Sequence, residues 1–181
     1  VTAEVELISE RIVEAEIFVN SKKEICDLKL VYAILDVFSR EFSYDGGLRV
    51  KIDSQIPIGR GLKSSSAVAN ALAEAFANAL KLELTTMDII KLGVKATIKA
   101  GITVTGAFDD ACASKLGGIC VTNNDTLELL RRDIIERSYV VLYVPEKKVF
   151  SGSLRDVDFS PVRGIVEIAY ELALNGDWKK A

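Results

Sequence analysis

Histidine is absent from this chain. That removes the usual residue of Ser-His-Asp hydrolysis, of imidazole acid–base work and of most transition-metal sites. Chemistry is left to carboxylates, lysine, arginine, hydroxyls, thiols and backbone N–H groups. Cysteine is scarce: Cys26, Cys112 and Cys120 are an odd set, widely spaced, with no CxxC pair. Neither a disulfide framework nor a zinc site is expected from them, and they read as small apolar residues of an intracellular protein. No apolar run approaches the roughly 20 residues that cross a bilayer. No positively charged start leads into an apolar segment, the pattern of a signal peptide. Basic residues come as scattered pairs (Lys22–Lys23, Arg131–Arg132, Lys147–Lys148) within a formal net charge of −3. Broad nucleic-acid binding needs a basic stripe to displace counterions, so it is not expected. Internal repeats and low-complexity segments are also missing.

What is present is an ordinary globular composition, 181 residues with 49% hydrophobic content. That length suits one large domain, or one domain and part of another. The chain opens on Val1 in a strand-like pattern and closes on Trp178-Lys179-Lys180-Ala181, so an internal piece of a longer protein is expected.

Val1, Ala3, Val5 and Leu7 share one face, and Ile12 to Asn20 alternates similarly. This is the period-2 pattern of half-buried strands, and the two are expected to pair as an antiparallel hairpin. Leu28, Val31, Leu35 and Phe38 recur at helical spacing through residues 28–42. The turn Asp45-Gly46-Gly47 leads to a strand in which Leu48, Val50 and Ile52 alternate with Arg49, Lys51 and Asp53. A long helix is expected over 64–82. A second starts at Thr85, where Thr85-Thr86-Met87-Asp88 fits a capping box, and ends near Gly101. An extended connector covers 102–108. Strands are expected over 117–122 and 139–144, with turn chemistry at Asn123-Asn124-Asp125 between them. Ser160-Pro161 opens a last helix that runs to Asn175-Gly176. The order is that of an α/β (α+β) sandwich with mixed strands, and a fresh strand–helix unit from Tyr139 puts a domain boundary near residue 137. Trp178 and Tyr170 read as packing residues. Glu10-Arg11 and Arg155-Asp156 read as solvated charges, with an arginine there suited to a substrate carboxylate.

Between the third strand and the long helix lies Pro57-Ile58-Gly59-Arg60-Gly61-Leu62-Lys63-Ser64-Ser65-Ser66-Ala67. Two glycines let the backbone approach an anion and adopt positive φ. The helix start supplies unpaired N–H groups and the positive end of the macrodipole. Arg60 and Lys63 add charge, and Ser64, Ser65 and Ser66 add hydroxyls for phosphate or magnesium. The plainer reading, a glycine turn and a serine N-cap, does not account for the whole string. It is not a Walker A loop: Leu62 precedes Lys63, and one residue separates Gly59 from Gly61. Nor is it a dinucleotide fingerprint, since Ser64 stands where a third glycine is required.

The string resembles the second motif of the GHMP kinase superfamily, roughly Pro-x-x-x-Gly-Leu-Gly-Ser-Ser-Ala. Lys63, where most members carry glycine, and the triple serine resemble the archaeal shikimate kinase branch, a likeness that extends over most of the chain. The resemblance implies an N-terminal domain of the ribosomal-protein domain-2-like fold over 1–137, its start missing. It further implies the start of a ferredoxin-like C-terminal domain over 138–181. It implies ATP bound by Pro57, Ile58, Gly59, Arg60, Gly61, Leu62, Lys63, Ser64, Ser65, Ser66 and Ala67, with Mg2+ met by Ser65.

A second segment, Thr103-Val104-Thr105-Gly106-Ala107-Phe108-Asp109-Asp110-Ala111, carries adjacent acids. Alone, they can merely cap a helix. Phosphoryl transfer, however, needs a group that orients the attacking hydroxyl and takes its proton, and without histidine a carboxylate is the natural choice. The segment is similar to the Gly-x-Asp-Asn context of mevalonate-kinase-like members. Asp109 then stands as the base and Asp110, where asparagine is usual, as the alternative. The adjacent carboxylates are open to coupled titration. The glutamate that some members add as a metal ligand has no counterpart between Met87 and Asp109. The family's first and third motifs are not found, since Gly117-Gly118 follows the acids too closely. A piece of this kind is expected to lack a complete site and to be inactive alone.

The function that the resemblance implies is a cytoplasmic transferase of the shikimate pathway, which feeds chorismate and the aromatic amino acids. It would pass a phosphoryl group from ATP to shikimate, a small molecule, with no nucleic acid or membrane as partner. The alternatives are a homoserine- or mevalonate-kinase-like enzyme and a nucleic-acid-binding module of ribosomal-protein-like fold.

Overall fold

The structure is a computed structural model and describes residues 1–134, 139, 141–144 and 158–181. Its main sheet has the order β1-β4-β2-β3, formed by β1 (Thr2–Ile8), β2 (Val13–Val19), β3 (Lys22–Glu24) and β4 (Gly47–Ser54). β4 is antiparallel to β1 and parallel to β2, so the sheet is mixed as expected.

The expected hairpin of β1 and β2 does not form, because β4 lies between them. Charge and burial explain the order. The solvent faces of β1 and β2 carry Glu4, Glu6, Glu14 and Glu16, whereas β4 carries Arg49 and Lys51. Direct β1–β2 pairing would set carboxylates side by side, while β4 in the centre gives each cation an acid on both flanks. In the register, Arg49 is opposite Glu6 and Glu14, and Lys51 is opposite Glu4 and Glu16. Arg49 reaches Glu6 at 2.6 Å and Glu14 at 2.7 Å. The other face of β4 buries Leu48, Val50 and Ile52, the pattern of a strand that needs a neighbour on each side. Each such burial contributes about 1.5–3 kcal/mol.

Helices α1 (Lys29–Phe42) and α2 (Ser64–Ala79) pack on that apolar face, and α3 (Thr86–Lys99) packs against both and adds to the same core. Phe38 of α1 stacks on Phe76 of α2 with centroids 4.4 Å apart, and Tyr44 meets Phe76 edge-on at 5.4 Å. α2 ends three residues before the expected Leu82, and Lys81 takes φ 56 just beyond it. The capping box of α3 is present. Thr85 accepts from the Asp88 N–H, and the Asp88 carboxylate accepts from the Thr85 N–H.

A second, smaller core packs Ile90 and Val94 of α3 against Phe108, Ala111 and Cys112. The last three belong to α4 (Phe108–Leu116), a helix absent from the expected element order, which the alternative reading of the acids as a helix cap allows. β5 (Ile119–Asn123) and β6 (Glu128–Asp133) form a separate antiparallel pair beside it. β6 was also unexpected, whereas the residues expected to continue the strand pattern, 139 and 141–144, carry no regular structure. Residue 140 and the boundary near 137 lie outside the described residues. Tyr139, Val141 and Tyr143 are 102%, 95% and 89% exposed. Alternation alone does not make a strand, which exists only where a ladder is there to join.

Ser160–Val162 is a single 3-10 turn leading into α5 (Arg163–Leu174). Trp178 packs as expected: its indole N–H donates to Asp133 at 3.0 Å, and Arg131 lies 5.6 Å from its ring centroid. Among the described residues no helix is long and apolar enough to cross a membrane.

Candidate active site

The loop after β4 is positioned by local backbone chemistry. At the strand's end the Ser54 hydroxyl oxygen accepts the Ile56 N–H at 3.0 Å and turns the chain. Gly59 and Gly61 follow at φ 68 and 76. A Cβ on Gly61 would meet nothing within 4 Å, so the residue is held to glycine by conformation and borders open space. Lys63, the N-cap of α2, is also left-handed at φ 55 and makes no side-chain cap bond. Such a backbone costs a non-glycine residue about 1–2 kcal/mol. The first turn of α2 consists of serines and contains no acid, so its orphan N–H groups and positive dipole end face the loop without a neutralising side chain.

The acidic segment reaches the same place from α3. The Gly106 N–H donates to Thr103 Oγ1 at 3.0 Å, and Thr97 Oγ1 donates to Val94 O at 2.9 Å. Gly106 has φ 84, and a Cβ there would fall 2.8 Å from Val94 Cγ1 and 2.9 Å from Ile98 Cδ1. Only glycine lets the connector lie this close to α3. Ala107 then caps α4 at φ 49, and Asp109 and Asp110 occupy the first turn. Asn70, buried in α2, donates to Ala111 O at 2.9 Å and Ser114 Oγ at 2.8 Å, tying the acid-bearing helix to the loop-bearing one.

The two adjacent carboxylates have different surroundings. Asp110 is half-buried, with 17% of its side chain exposed, and its Oδ2 lies 2.9 Å from Lys63 Nζ. Burial pushes its carboxyl above the ordinary range and the neighbouring Asp109 charge adds to this, while Lys63 pulls the other way. Asp109 is exposed. Its Oδ1 accepts from Asn124 Nδ2 at 3.1 Å, and its backbone N–H donates to Asn124 Oδ1 at 3.3 Å. Thr122 Oγ1 donates to the same Asn124 oxygen at 2.9 Å.

Loop and acids line one cleft of about 950 Å³. Residues 58–61 and 63–66, Asp109, Asp110 and Asn124 all border it. Pro57, Leu62 and Ala67 belong to the loop but do not line the cleft, and the Ala67 N–H is already used in a bond to Lys63 O at 3.3 Å. Ser65 lines the cleft. Among the described residues there is no group of three or more acids or thiols able to hold a metal by themselves.

The cysteines are not part of this chemistry. None is in a disulfide, and burial, the nearby Cys120 and the Asp109 charge push the Cys112 thiol up to about 12, so it stays protonated. Cys112 is fully buried as expected, whereas Cys26 and Cys120 are only half-buried. Arg11 pairs with Asp45 at 2.5 Å on the surface, and Arg155-Asp156 lies outside the described residues.

Residues 29–118 match the family model described as the GHMP kinases N terminal domain. The chain belongs to the GHMP kinase superfamily. It is 50% identical over 169 residues to the shikimate kinase of Pyrococcus furiosus, an alignment covering 93% of this chain and 62% of that protein. It is 47% identical to the shikimate kinase of Thermococcus kodakarensis, with the same 93% and 62% coverage. To the shikimate kinase of Methanocella arvoryzae it is 39% identical, covering 86% of this chain and 53% of that protein. The chain thus spans between about half and two thirds of the length of these relatives. Among solved structures it is similar in fold to homoserine kinase from Cytophaga hutchinsonii. The TM-score is 0.62 at 17% identity, covering 96% of this chain and 58% of that one.

The GHMP loop pattern explains the backbone at Lys63. The position where the resembling motif carries glycine is left-handed in this chain, at φ 55, and the lysine that stands there makes an ion pair with Asp110. The sequence reading found the loop and both acids but missed Asn124, Thr122 and Asn70. Asn124 was visible only as a hairpin-turn residue, 15 positions from the carboxylate it holds.

Proposed function

We propose that the intact protein is a shikimate kinase, passing the γ-phosphoryl group of ATP to a hydroxyl of shikimate. The observation that carries this reading is the convergence of the anion-facing loop and the Asp109–Asp110 pair on one cleft. The printed names of the archaeal relatives support the choice of substrate.

In this reading the ATP phosphates lie along residues 58–66, against the N–H groups that open α2. Lys63 exchanges Asp110 for a phosphate oxygen. The substrate hydroxyl oxygen bonds to the γ-phosphorus as the bond to the β,γ-bridging oxygen breaks, and the hydroxyl proton passes to the Asp109 carboxylate. Asp110, turned toward Lys63, is the second candidate for that role. Magnesium commonly takes only one or two protein ligands beside phosphate and water, which the Ser65 hydroxyl and a carboxylate of the pair can supply. When bound it neutralises charge building on the phosphates.

Residues 138–181 are proposed to begin a second domain. Ile165, Val166 and Ile168 of α5, which are 71%, 60% and 64% exposed, support this as a face suited to burial. A cytoplasmic location accompanies the reading, in keeping with cysteines outside any disulfide. Neither nucleic acid nor membrane has a part in it.

The test offers the intact protein ATP and magnesium with shikimate, homoserine and mevalonate in turn. Phosphorylated product is expected with shikimate. Turnover of one of the other alcohols would reassign the substrate, and no turnover with any of them would end the reading.

A further inference from the structure

We propose that Asn124 is the positioning residue for Asp109. This rests on Asp109 as the base and goes beyond it by assigning what aims the carboxylate. An asparagine amide has one accepting and one donating end, and the network fixes which is which. The Asp109 backbone N–H can only donate, and it meets Oδ1 at 3.3 Å. Thr122 Oγ1 meets the same oxygen at 2.9 Å. The amide nitrogen is therefore the end that faces the Asp109 carboxylate, donating to Oδ1 at 3.1 Å.

Two contacts at Oδ1 orient the amide, and its nitrogen holds one of the two carboxylate oxygens. Oδ2 is left for the attacking hydroxyl. Asp110, the adjacent acid, is held separately by Lys63 from the loop side. Each acid thus has its own tether, one from the β5–β6 turn and one from the start of α2. Asn124 borders the same cleft, so the assignment does not depend on a distant relay.

A purely structural role is the competing explanation, since Asn124 Oδ1 also serves the first turn of α4. Asn124→Asp separates the two. It keeps an oxygen for the Asp109 N–H and for Thr122. It also replaces the donor to Asp109 by a second negative oxygen. A structural role makes this variant mild, whereas a positioning role makes it the worst of the set.

The experiment measures kcat, KM for ATP and Tm of the intact protein, assayed with shikimate, for Asn124→Asp, Asn124→Ala and Thr122→Val. The expected fall in kcat is about a hundredfold for Asn124→Asp, where like charges meet. It is about tenfold for Asn124→Ala and about threefold for Thr122→Val. KM for ATP should stay within about twofold in all three, because the loop is untouched. In an Asp109→Asn background, Asn124→Ala should cost no further activity. Wild-type kcat in Asn124→Asp, or losses that track Tm, would overturn the assignment. Asp109→Asn measured alone keeps the two questions apart. If it turns over normally, the base reading fails. If it is dead while Asn124→Asp is normal, only the Asn124 assignment fails.

Discussion

Helices α2 and α4 open into the same cleft from similar caps. Lys63 at φ 55 and Ala107 at φ 49 are both left-handed, and neither makes a side-chain cap bond. Their first turns then diverge. α2 begins Ser64-Ser65-Ser66 with no acid, whereas α4 carries Asp109 and Asp110. A helix start without acids leaves its dipole and N–H groups for an outside anion. A helix start with two acids answers its own dipole and has negative charge to spare. In the proposed reading one cap geometry thus serves two ends, an anion cradle at α2 and a proton acceptor at α4. Asn70 fixes the distance between them. The difference lies in the side chains of a few residues and not in the backbone.

Substitutions at these two starts should separate binding from chemistry. The largest effect is expected at α4: Asp109→Asn should lower kcat by about 10²–10⁴-fold, the range for loss of a general base. Steady-state kinetics of the intact protein measures this, and near-normal turnover would shift the base to Asp110. At the loop, Gly61→Val should weaken ATP binding by about tenfold, since a β-branched residue at φ 76 is strained and crowds the phosphate path. Calorimetric titration reads it, and unchanged affinity would remove the loop from the nucleotide site.

Lys63→Gly probes the cap itself. It removes a left-handed strain of about 1 kcal/mol together with the charge that pairs with Asp110 and is proposed to meet phosphate. Tm should hold or rise while KM for ATP increases by about threefold. A fall in both would mean that the Lys63–Asp110 pair matters more to folding than to binding.

The smallest effect concerns the pH dependence at Asp110. Its carboxyl is raised in the folded protein, so its stabilising contribution is fully present below the ordinary aspartate value of 3.8 and is lost as pH rises through the raised one. Asp110→Asn carries no such loss. Its Tm should equal or exceed that of the parent at neutral pH, with the gap closing on acidification. A lower Tm at neutral pH would mean that the ion pair outweighs burial.

The sequence was most legible where a local signal sufficed. The capping box at Thr85, the alternation of β4 and the glycine loop each need only neighbouring residues. The strand order was misjudged although its cause was in plain view: Glu4, Glu6, Glu14 and Glu16 call for the cations of β4 between them. Alternation reports burial, and only the charge on the opposite face tells which strand lies between two acidic ones. α4 was missed because its nine residues carry two acids at one end and little apolar periodicity. What makes it a helix is tertiary, the burial of Phe108, Ala111 and Cys112 against α3. Asn124 was beyond reach for the same reason, because its function depends on a turn brought beside Asp109 by packing.

In the proposed reading the loop binds the nucleotide while Asp109 accepts the proton of the attacking hydroxyl, both at one cleft. Direct titration of ATP into the intact Asp109→Asn protein tests it most squarely, read beside the kcat of the same preparation. ATP affinity should stay within about twofold of the parent while kcat falls at least about a hundredfold. Affinity lost in step with turnover would contradict it, making Asp109 a support of the cleft and not its base.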